Sequence, residues 1–313
     1  MTPFSPARPL RIGTRGSPLA LAQAHETRDR LRAAHGLAEA AIEIVVIKTT
    51  GDAILDRALS EAGGKGLFTK EIDEAQLSGA IDLAVHSMKD APTELPEGIQ
   101  IGALLPREDV RDAFLSPRAA RLSELPSGAL VGTASLRRQA QVLHRRPDLR
   151  VETFRGNVQT RLRKLEAGEA DATFLAMAGL RRLGMAALAQ ETIATEEMLP
   201  AVAQGAIGIA RRAEDEAAAA LLAPLHCVDT GDRVAAERAF LRVLDGSCRT
   251  PIAGLAELSG DRLRLRGEIL SPDGRVRHGG AREGARSDGA AMGADLGRAL
   301  LAEAGPGFFV GQG

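Results

Sequence analysis

Residues 10–34 read LRIGTRGSPLALAQAHETRDRLRAA. Leu10–Gly13 is a short apolar run of strand length. Ser17-Pro18 then supplies a helix cap followed by proline at the first helical position, where a missing N–H costs nothing. A helical pattern continues toward Ala34. A strand, a polar turn and a helix make the repeating unit of an α/β fold, and the texture returns along the chain. Further strand-like runs stand at Ile42–Ile47, Ile81–Val85, Ile99–Leu104, Ala129–Gly132, Val151–Phe154, Thr173–Ala176 and Ala206–Ala210. Leu136–Arg146 reads as a helix, and Asn157 caps another that runs through Glu166. This alternation predicts parallel sheets covered by helices on both faces.

Two polar, turn-like stretches, Leu105–Asp109 and Thr195–Gly205, read as crossings: the chain leaves one α/β lobe, builds a second and returns. After a helix predicted over Arg211–Leu222 the texture changes. A helix from Asp232 to Leu244, runs at Ile252–Leu258 and Leu263–Leu270, a Gly-rich turn and a helix over Ala291–Glu303 predict a small α+β tail domain. The boundaries expected are 1–105 with 200–222, then 106–199, then 223–313. No internal repeat is visible in the sequence.

Of the 313 residues, 40 are Lys or Arg and 41 are Asp or Glu, a net charge of −1; 44% are apolar and 26% charged. That is the composition of a folded chain, not a disordered one. No apolar run approaches the roughly 18 residues of a membrane span. The opening MTPFSPARPL has no apolar core of a secretory signal, and two cysteines fit a reducing compartment, so a cytoplasmic location is expected. Near-neutral charge with no Trp and no Tyr argues against a nucleic-acid partner.

Ligands of open α/β sheets bind beyond the carboxyl ends of the strands, so the residues after each run carry the functional reading. They are Thr14-Arg15-Gly16-Ser17, Lys48-Thr49-Thr50, His86-Ser87-Met88-Lys89-Asp90, Thr133-Ala134-Ser135-Leu136-Arg137-Arg138, Arg155-Gly156-Asn157, and Met177 through Arg182. Between Arg137 and Arg163 there are eight Arg, no Lys, and only Asp148 and Glu152 as acids. Arginine's planar fork matches a carboxylate or phosphate at two points and does not titrate away. Arg145, Arg146 and Arg163 read instead as solvated helix faces. Asp90, among cations, is held ionised. It either steadies a cationic intermediate and exchanges protons, or caps a turn. Gly63-Gly64-Lys65-Gly66-Leu67-Phe68 lacks the phosphate-loop spacing and is either a plain surface loop or a lid over an anionic ligand. Cys248 lies in the loop Asp245-Gly246-Ser247-Cys248-Arg249-Thr250-Pro251, where Arg249 raises the thiolate fraction. A zinc site is not expected, because the cysteines and histidines lack ligand spacing.

Taken in order, Thr14-Arg15-Gly16-Ser17-Pro18-Leu19-Ala20, Gly63-Gly64-Lys65-Gly66-Leu67-Phe68, His86-Ser87-Met88-Lys89-Asp90, Gly132-Thr133-Ala134-Ser135-Leu136-Arg137-Arg138-Gln139, Arg155-Gly156-Asn157, Leu199-Pro200-Ala201-Val202-Ala203-Gln204-Gly205 and Gly246-Ser247-Cys248 resemble the porphobilinogen deaminase (hydroxymethylbilane synthase) family across nearly the whole chain. The resemblance implies two α/β lobes similar to periplasmic binding proteins with a central cleft, plus a small C-terminal α+β domain. It implies a monomer that joins four porphobilinogen molecules head to tail, with loss of ammonia, into hydroxymethylbilane. The product grows on a dipyrromethane cofactor held by a thioether, here at Cys248. Asp90 matches the family's catalytic aspartate. Lys89, Arg15, Ser17, Arg137, Arg138, Arg155, Arg161 and Arg182 match positions that bind cofactor or substrate carboxylates, and Gly156 and Asn157 belong to the same motif. Ser87, Thr133 and Ser135 match hydroxyl donors, Lys65 and Phe68 lie on the mobile loop, and Gln204 matches a residue at the crossing.

Each porphobilinogen unit carries an acetate and a propionate, so a growing oligopyrrole accounts for many arginine forks without a net positive chain. Loss of ammonia leaves a cation, which accounts for one well-placed carboxylate. Ala134 and Arg249 depart from the family pattern, which puts one donor and the thiol's surroundings in doubt. Two other readings use the same features: a two-lobed anion binder without catalysis, and a thiol-dependent transferase acting on another polycarboxylate.

Overall fold

The computed structural model describes residues 4–50, 69–244, 250–305 and 308. In chain order it forms β1 (Leu10–Thr14), α1 (Pro18–His35), β2 (Ile42–Val46), α2 (Lys70–Leu77), β3 (Leu83–Ser87), β4 (Ile99–Leu104), β5 (Asp112–Leu115), β6 (Leu130–Gly132), α3 (Leu136–Arg145), β7 (Arg150–Glu152), α4 (Val158–Glu166), β8 (Ala172–Ala176), α5 (Met177–Arg182), β9 (Glu191–Thr192), β10 (Ile207–Arg212), α6 (Glu216–Leu222), α7 (Val228–Val243), β11 (Ile252–Ser259), β12 (Arg262–Leu270), β13 (Arg277–Ala285) and α8 (Gly289–Ala304). These fall into two compact units. Of the described residues, the first holds 4–50, 69–107 and 206–231, and the second holds 108–205, 232–244, 250–305 and 308.

The first unit has a five-stranded sheet in the order β2-β1-β3-β10-β4. β1 is parallel to β2 and β3, and β10 runs antiparallel to both β3 and β4. The second unit has a sheet in the order β7-β6-β8-β5-β9. There β6 is parallel to β7 and β8, and β5 is antiparallel to β8 and β9. The topology repeats although the sequence does not. In both sheets the reversed strand is the one that enters directly after a crossing.

Both faces of each sheet are covered. In the first unit Leu10, Ile12, Leu83, Val85 and Ile209 pack against Ala24 and Leu31 of α1. Ile72, Ile81, Ala84 and Ala210 form a separate cluster. In the second, Phe114 and Phe174 meet at 5.7 Å within one cluster, while their chain neighbours Leu115 and Leu175 belong to another. Successive residues of a strand face opposite ways, so both clusters are built from the same two strands. The second unit also contains the antiparallel sheet β11-β12-β13.

The caps are as the sequence reads them. Ser17 accepts a hydrogen bond from the Ala20 N–H with Pro18 in the first turn, and Asn157 accepts one from the Thr160 N–H. Three expectations are corrected. Arg211 and Arg212 end a strand, and the helix begins only at Glu216. β5 was not expected, because its leading Asp112 is buried by tertiary partners. The Gly-rich stretch expected to turn contains strand β13, where an added Cβ at Gly280 would stand 3.0 Å from Leu296 of α8, a close helix-on-sheet approach. Among the described residues, no helix is long and apolar enough to cross a membrane.

Candidate functional site

In the first unit the loops after β1 and β3 carry the expected side chains. Thr14 is buried and its hydroxyl donates to the Ala20 carbonyl at 3.2 Å. Ser17 accepts from the Ala20 N–H at 3.3 Å, which spends an oxygen lone pair and not its hydroxyl proton. Arg15 is half-buried between them. β3 runs to Ser87, two residues further than expected, so His86 and Ser87 belong to the strand. The Asp90 N–H donates to the Ser87 carbonyl at 2.9 Å, closing a turn that presents Asp90 as an exposed carboxylate next to half-buried Lys89. Burial, and then the charge of Arg15, push the His86 imidazole down to about 4. It is therefore neutral at physiological pH and adds no positive charge beside Arg15.

Sequence reasoning missed Gln23. It is 4% exposed on α1. Its amide nitrogen donates to the Ser87 hydroxyl at 2.8 Å, and that hydroxyl sits 3.1 Å from the amide oxygen. The available signal was a polar residue on a buried helix face, since Gln23, Thr27 and Leu31 share one side of α1 at helical spacing.

In the second unit the Ser135 N–H donates to buried Thr133 at 3.2 Å, and the Ser135 hydroxyl caps α3. This sets the first helical turn, which carries Arg137 and Arg138. Both are buried, and they share one carboxylate. Arg137 Nη2 donates to Asp112 Oδ2 at 2.7 Å and Arg138 Nη2 to Asp112 Oδ1 at 2.8 Å. Their Nη1 groups donate to the carbonyls of Leu199 and Phe174, each at 2.9 Å. The Gln204 amide nitrogen joins at 2.9 Å from Asp112 Oδ1 and 2.8 Å from the Val110 carbonyl. Asp112 is 0% exposed. Burial opposes its ionisation, but the charges of Arg137 and Arg138 outweigh that and hold the carboxyl well below the usual carboxylate range. Asp112 is the second residue that sequence reasoning missed: as one acid just beyond a polar crossing, it gives no sign of being buried.

The other predicted residues of this unit are placed as follows. Asn157 accepts from the Thr160 N–H at 2.9 Å and the Thr160 hydroxyl at 3.0 Å, so its amide oxygen is a helix cap. Gly156 turns there with φ at +119°, in the left-handed half of the map. Arg161 donates to the Gly156 carbonyl at 2.9 Å and Arg182 to the Gly205 carbonyl at 3.2 Å. Arg155 is half-buried. Arg146 is not a solvated face: it pairs with Asp148 at 2.7 Å and donates to the carbonyls of Leu122, Ser123 and Leu125. Lys65, Phe68 and Cys248 lie outside the described residues.

Among the described residues five buried guanidinium nitrogens have no hydrogen-bond partner: Nε of Arg32, Arg137, Arg138 and Arg266, and Nη1 of Arg155. A buried, unsatisfied donor is costly, and each one in a native fold calls for a partner. Arg32 and Arg266 lie inside α1 and β12, whereas Arg137, Arg138 and Arg155 follow strand ends. The chemistry of these last three is that of receptors for carboxylate oxygens. Among the described residues no group of three His, Cys, Asp or Glu is arranged to hold a metal.

Comparison with known proteins gives one family. Residues 10–220 match the model described as "Porphobilinogen deaminase, dipyromethane cofactor binding domain", and residues 232–302 match "Porphobilinogen deaminase, C-terminal domain". The chain is 65% identical over 304 residues to a porphobilinogen deaminase of Paracoccus denitrificans, covering 97% of each. It is 59% identical over 305 residues to a chloroplastic porphobilinogen deaminase of Oryza sativa subsp. japonica, covering 96% of this chain and 85% of that one. Among solved structures it resembles a periplasmic substrate-binding protein of an ABC transporter from Coxiella burnetii, at 15% identity and TM-score 0.43, over 70% of this chain and 92% of that one.

Proposed function

The chain belongs to the porphobilinogen deaminase family, and we propose that the strand-end residues described above are its working site. The enzyme is a transferase of tetrapyrrole biosynthesis that joins porphobilinogen, with loss of ammonia, into hydroxymethylbilane. Its cofactor is dipyrromethane. When bound, dipyrromethane supplies the pyrrole end to which further units are added. In our reading Cys248 carries it through a thioether.

The residues present fit such a group. Its carboxylates require fixed donors, and the unpartnered nitrogens of Arg137, Arg138 and Arg155 are fixed donors already withdrawn from water. That is the single observation that carries the residue-level reading. Arg15, Ser17, Ser87, Lys89, Thr133, Ser135, Arg161, Arg182 and Gln204 complete the binding set, with Lys65 and Phe68 contributed by the Gly-rich segment. Gly156 and Asn157 shape the turn that presents Arg155.

Asp90 takes the catalytic role. An exposed carboxylate beside Lys89 is placed to oppose the positive charge that develops as ammonia leaves the substrate and to take up a proton from a pyrrole nitrogen. The neutral ring of His86 leaves Arg15 as the cation on β1's loop, suited to a substrate carboxylate. The lobes are assigned to 1–105 with 200–222 and to 106–199, with 223–313 carrying the cysteine. A net charge of −1 supports an enzyme without a nucleic-acid partner; we read it as a cytoplasmic monomer.

The test is Asp90→Asn, compared with wild type for porphobilinogen turnover and for retained cofactor by mass. A general acid–base contribution is typically about 100- to 10,000-fold, so turnover should fall by about 100-fold or more with the cofactor still attached. Near-normal turnover removes Asp90 from the chemistry.

A further inference from the structure

The hairpin between β12 and β13 touches the helix that carries two of the arginines. Its tip, Ser271 to Val276, is a built turn: the Gly274 N–H donates to the Ser271 carbonyl at 2.8 Å, and the Asp273 carboxylate accepts from the Ser271 hydroxyl at 2.5 Å and the Arg275 N–H at 3.1 Å. Two hydrogen bonds fix this tip on α3. The Gln139 amide donates to the Pro272 carbonyl at 3.2 Å, and His144 Nδ1 lies 2.8 Å from the Gly274 carbonyl. A carbonyl only accepts, so His144 carries its proton on Nδ1. At the root of the hairpin the Leu270 N–H donates to the Pro251 carbonyl at 3.0 Å, and Pro251 follows soon after Cys248 in the chain.

Beside this contact, helix and sheet stand apart. A cavity of about 740 Å³ lies here, lined among others by Gln141, His144, Arg266, Glu268, Leu270 and Gly280. The tip thus spans from the sheet to α3 between Gln139 and His144, directly after Arg137 and Arg138 in the first turn and the Ser135 cap. α3 is only about 15 Å long, and Gln139 directly follows Arg138, so a tip lifted from α3 bears on the turn that carries the arginines.

We propose that the β12–β13 tip is a positioning strut for the arginine-bearing helix, with Gly274 and His144 as its two working residues. The proposal rests on the reading that Arg137 and Arg138 receive carboxylates of the cofactor and substrate. Gly274 has φ at +72°, and an added Cβ would overlap the His144 backbone nitrogen and stand 2.6 Å from the Ala140 carbonyl oxygen. No side chain fits without lifting the tip from the helix. The same sheet supplies an internal control. Gly260, in the β11–β12 turn, has φ at +58° and nothing within 4 Å of an added Cβ. Alanine there carries comparable backbone strain and no collision.

The experiment measures KM and kcat for porphobilinogen in holoenzyme carrying Gly274→Ala or Gly260→Ala. Receptor arginines hold carboxylates throughout the reaction, so their displacement raises KM more than it lowers kcat. A misplacement of about 1 Å can cost about 100-fold. We therefore expect Gly274→Ala to raise KM by about 10-fold or more, and Gly260→Ala to stay within about 2-fold of wild type. Equal KM values in both variants and wild type overturn the strut. If Gly274→Ala does not fold, His144→Ala removes the donor from an exposed position and His144→Gln restores one: a raised KM in the first that returns in the second supports the strut, and an unchanged KM in His144→Ala overturns it. Arg138→Gln, measured alongside, separates the two layers. No KM effect from Arg138→Gln refutes the arginine reading itself, whereas a clear effect there with none from Gly274→Ala refutes the strut alone.

Discussion

Asp112→Asn keeps the shape of the side chain and removes one charge from a dry cluster. In the wild type that carboxylate is 0% exposed and accepts from Arg137 at 2.7 Å, Arg138 at 2.8 Å and Gln204 at 2.9 Å. An asparagine offers one oxygen to three donors and turns an N–H₂ toward the others. Two buried guanidinium groups then lose their counter-charge. Removing one partner of a buried ion pair typically costs about 3–5 kcal/mol. Set against a total of about 5–15 kcal/mol for a domain, this is a large share. For domains of this size about 1 kcal/mol shifts the melting temperature by about 2–4 °C, so the expected fall is roughly 6–20 °C.

The pH dependence adds a second check. The folded carboxyl lies below its unfolded value of about 3.9, so its contribution is present above that value and is lost as pH falls toward the folded one. The gap between variant and wild type should therefore be level from pH 5 to pH 9, and narrow only below about pH 4. The assay is calorimetric melting of both proteins across that range. A fall of less than about 1 kcal/mol would mean the cluster is wet and the pair behaves like one on the surface. A gap that closes near pH 6 would mean Asp112 titrates there and is not ion-paired.

Burial pushes Asp73, on α2, up to about 6; a folded value above the unfolded one means stability is fully present below about pH 4 and declines as pH rises through 6, so Asp73→Asn should stabilise by about 2–3 kcal/mol at pH 8 and by little at pH 4. Urea unfolding at the two pH values checks this, and equal effects would contradict it. Arg155→Leu removes a half-buried group with an unpartnered nitrogen, so kcat/KM should drop by about 10-fold or more while the melting point holds, given about 1.5–3 kcal/mol per charged hydrogen bond. Arg146→Leu should do the reverse, because it breaks the Asp148 pair and three carbonyl contacts at the end of α3 opposite Arg137 and Arg138; matching kinetic losses in the two variants would end the distinction.

The strand ends could be read from the sequence because local chemistry writes them. Apolar runs mark β1 to β4, and Ser17 and Asn157 announce their helices because a cap needs only its own neighbours. What stayed hidden depends on tertiary partners. Asp112 looks like any acid beside a polar crossing, and only the fold brings two arginines and Gln204 to it. β13 looks like a Gly-rich turn because the helix that approaches Gly280 comes from elsewhere in the chain. Gln23 shares a buried helix face with Thr27 and Leu31, and that pattern marks it as buried without naming its partner, Ser87. Arg146 was misread for the same cause: its acceptors come from a preceding turn that no periodicity predicts.

The claim at the centre is that a pyrrole cofactor tethered at Cys248 is held by these arginines. Intact mass of the purified protein tests the tether in one step. The expected mass exceeds that of the bare chain by two pyrrole units, and the excess is absent in Cys248→Ser. An excess that survives Cys248→Ser, or an active wild type with the mass of the bare chain, would contradict it.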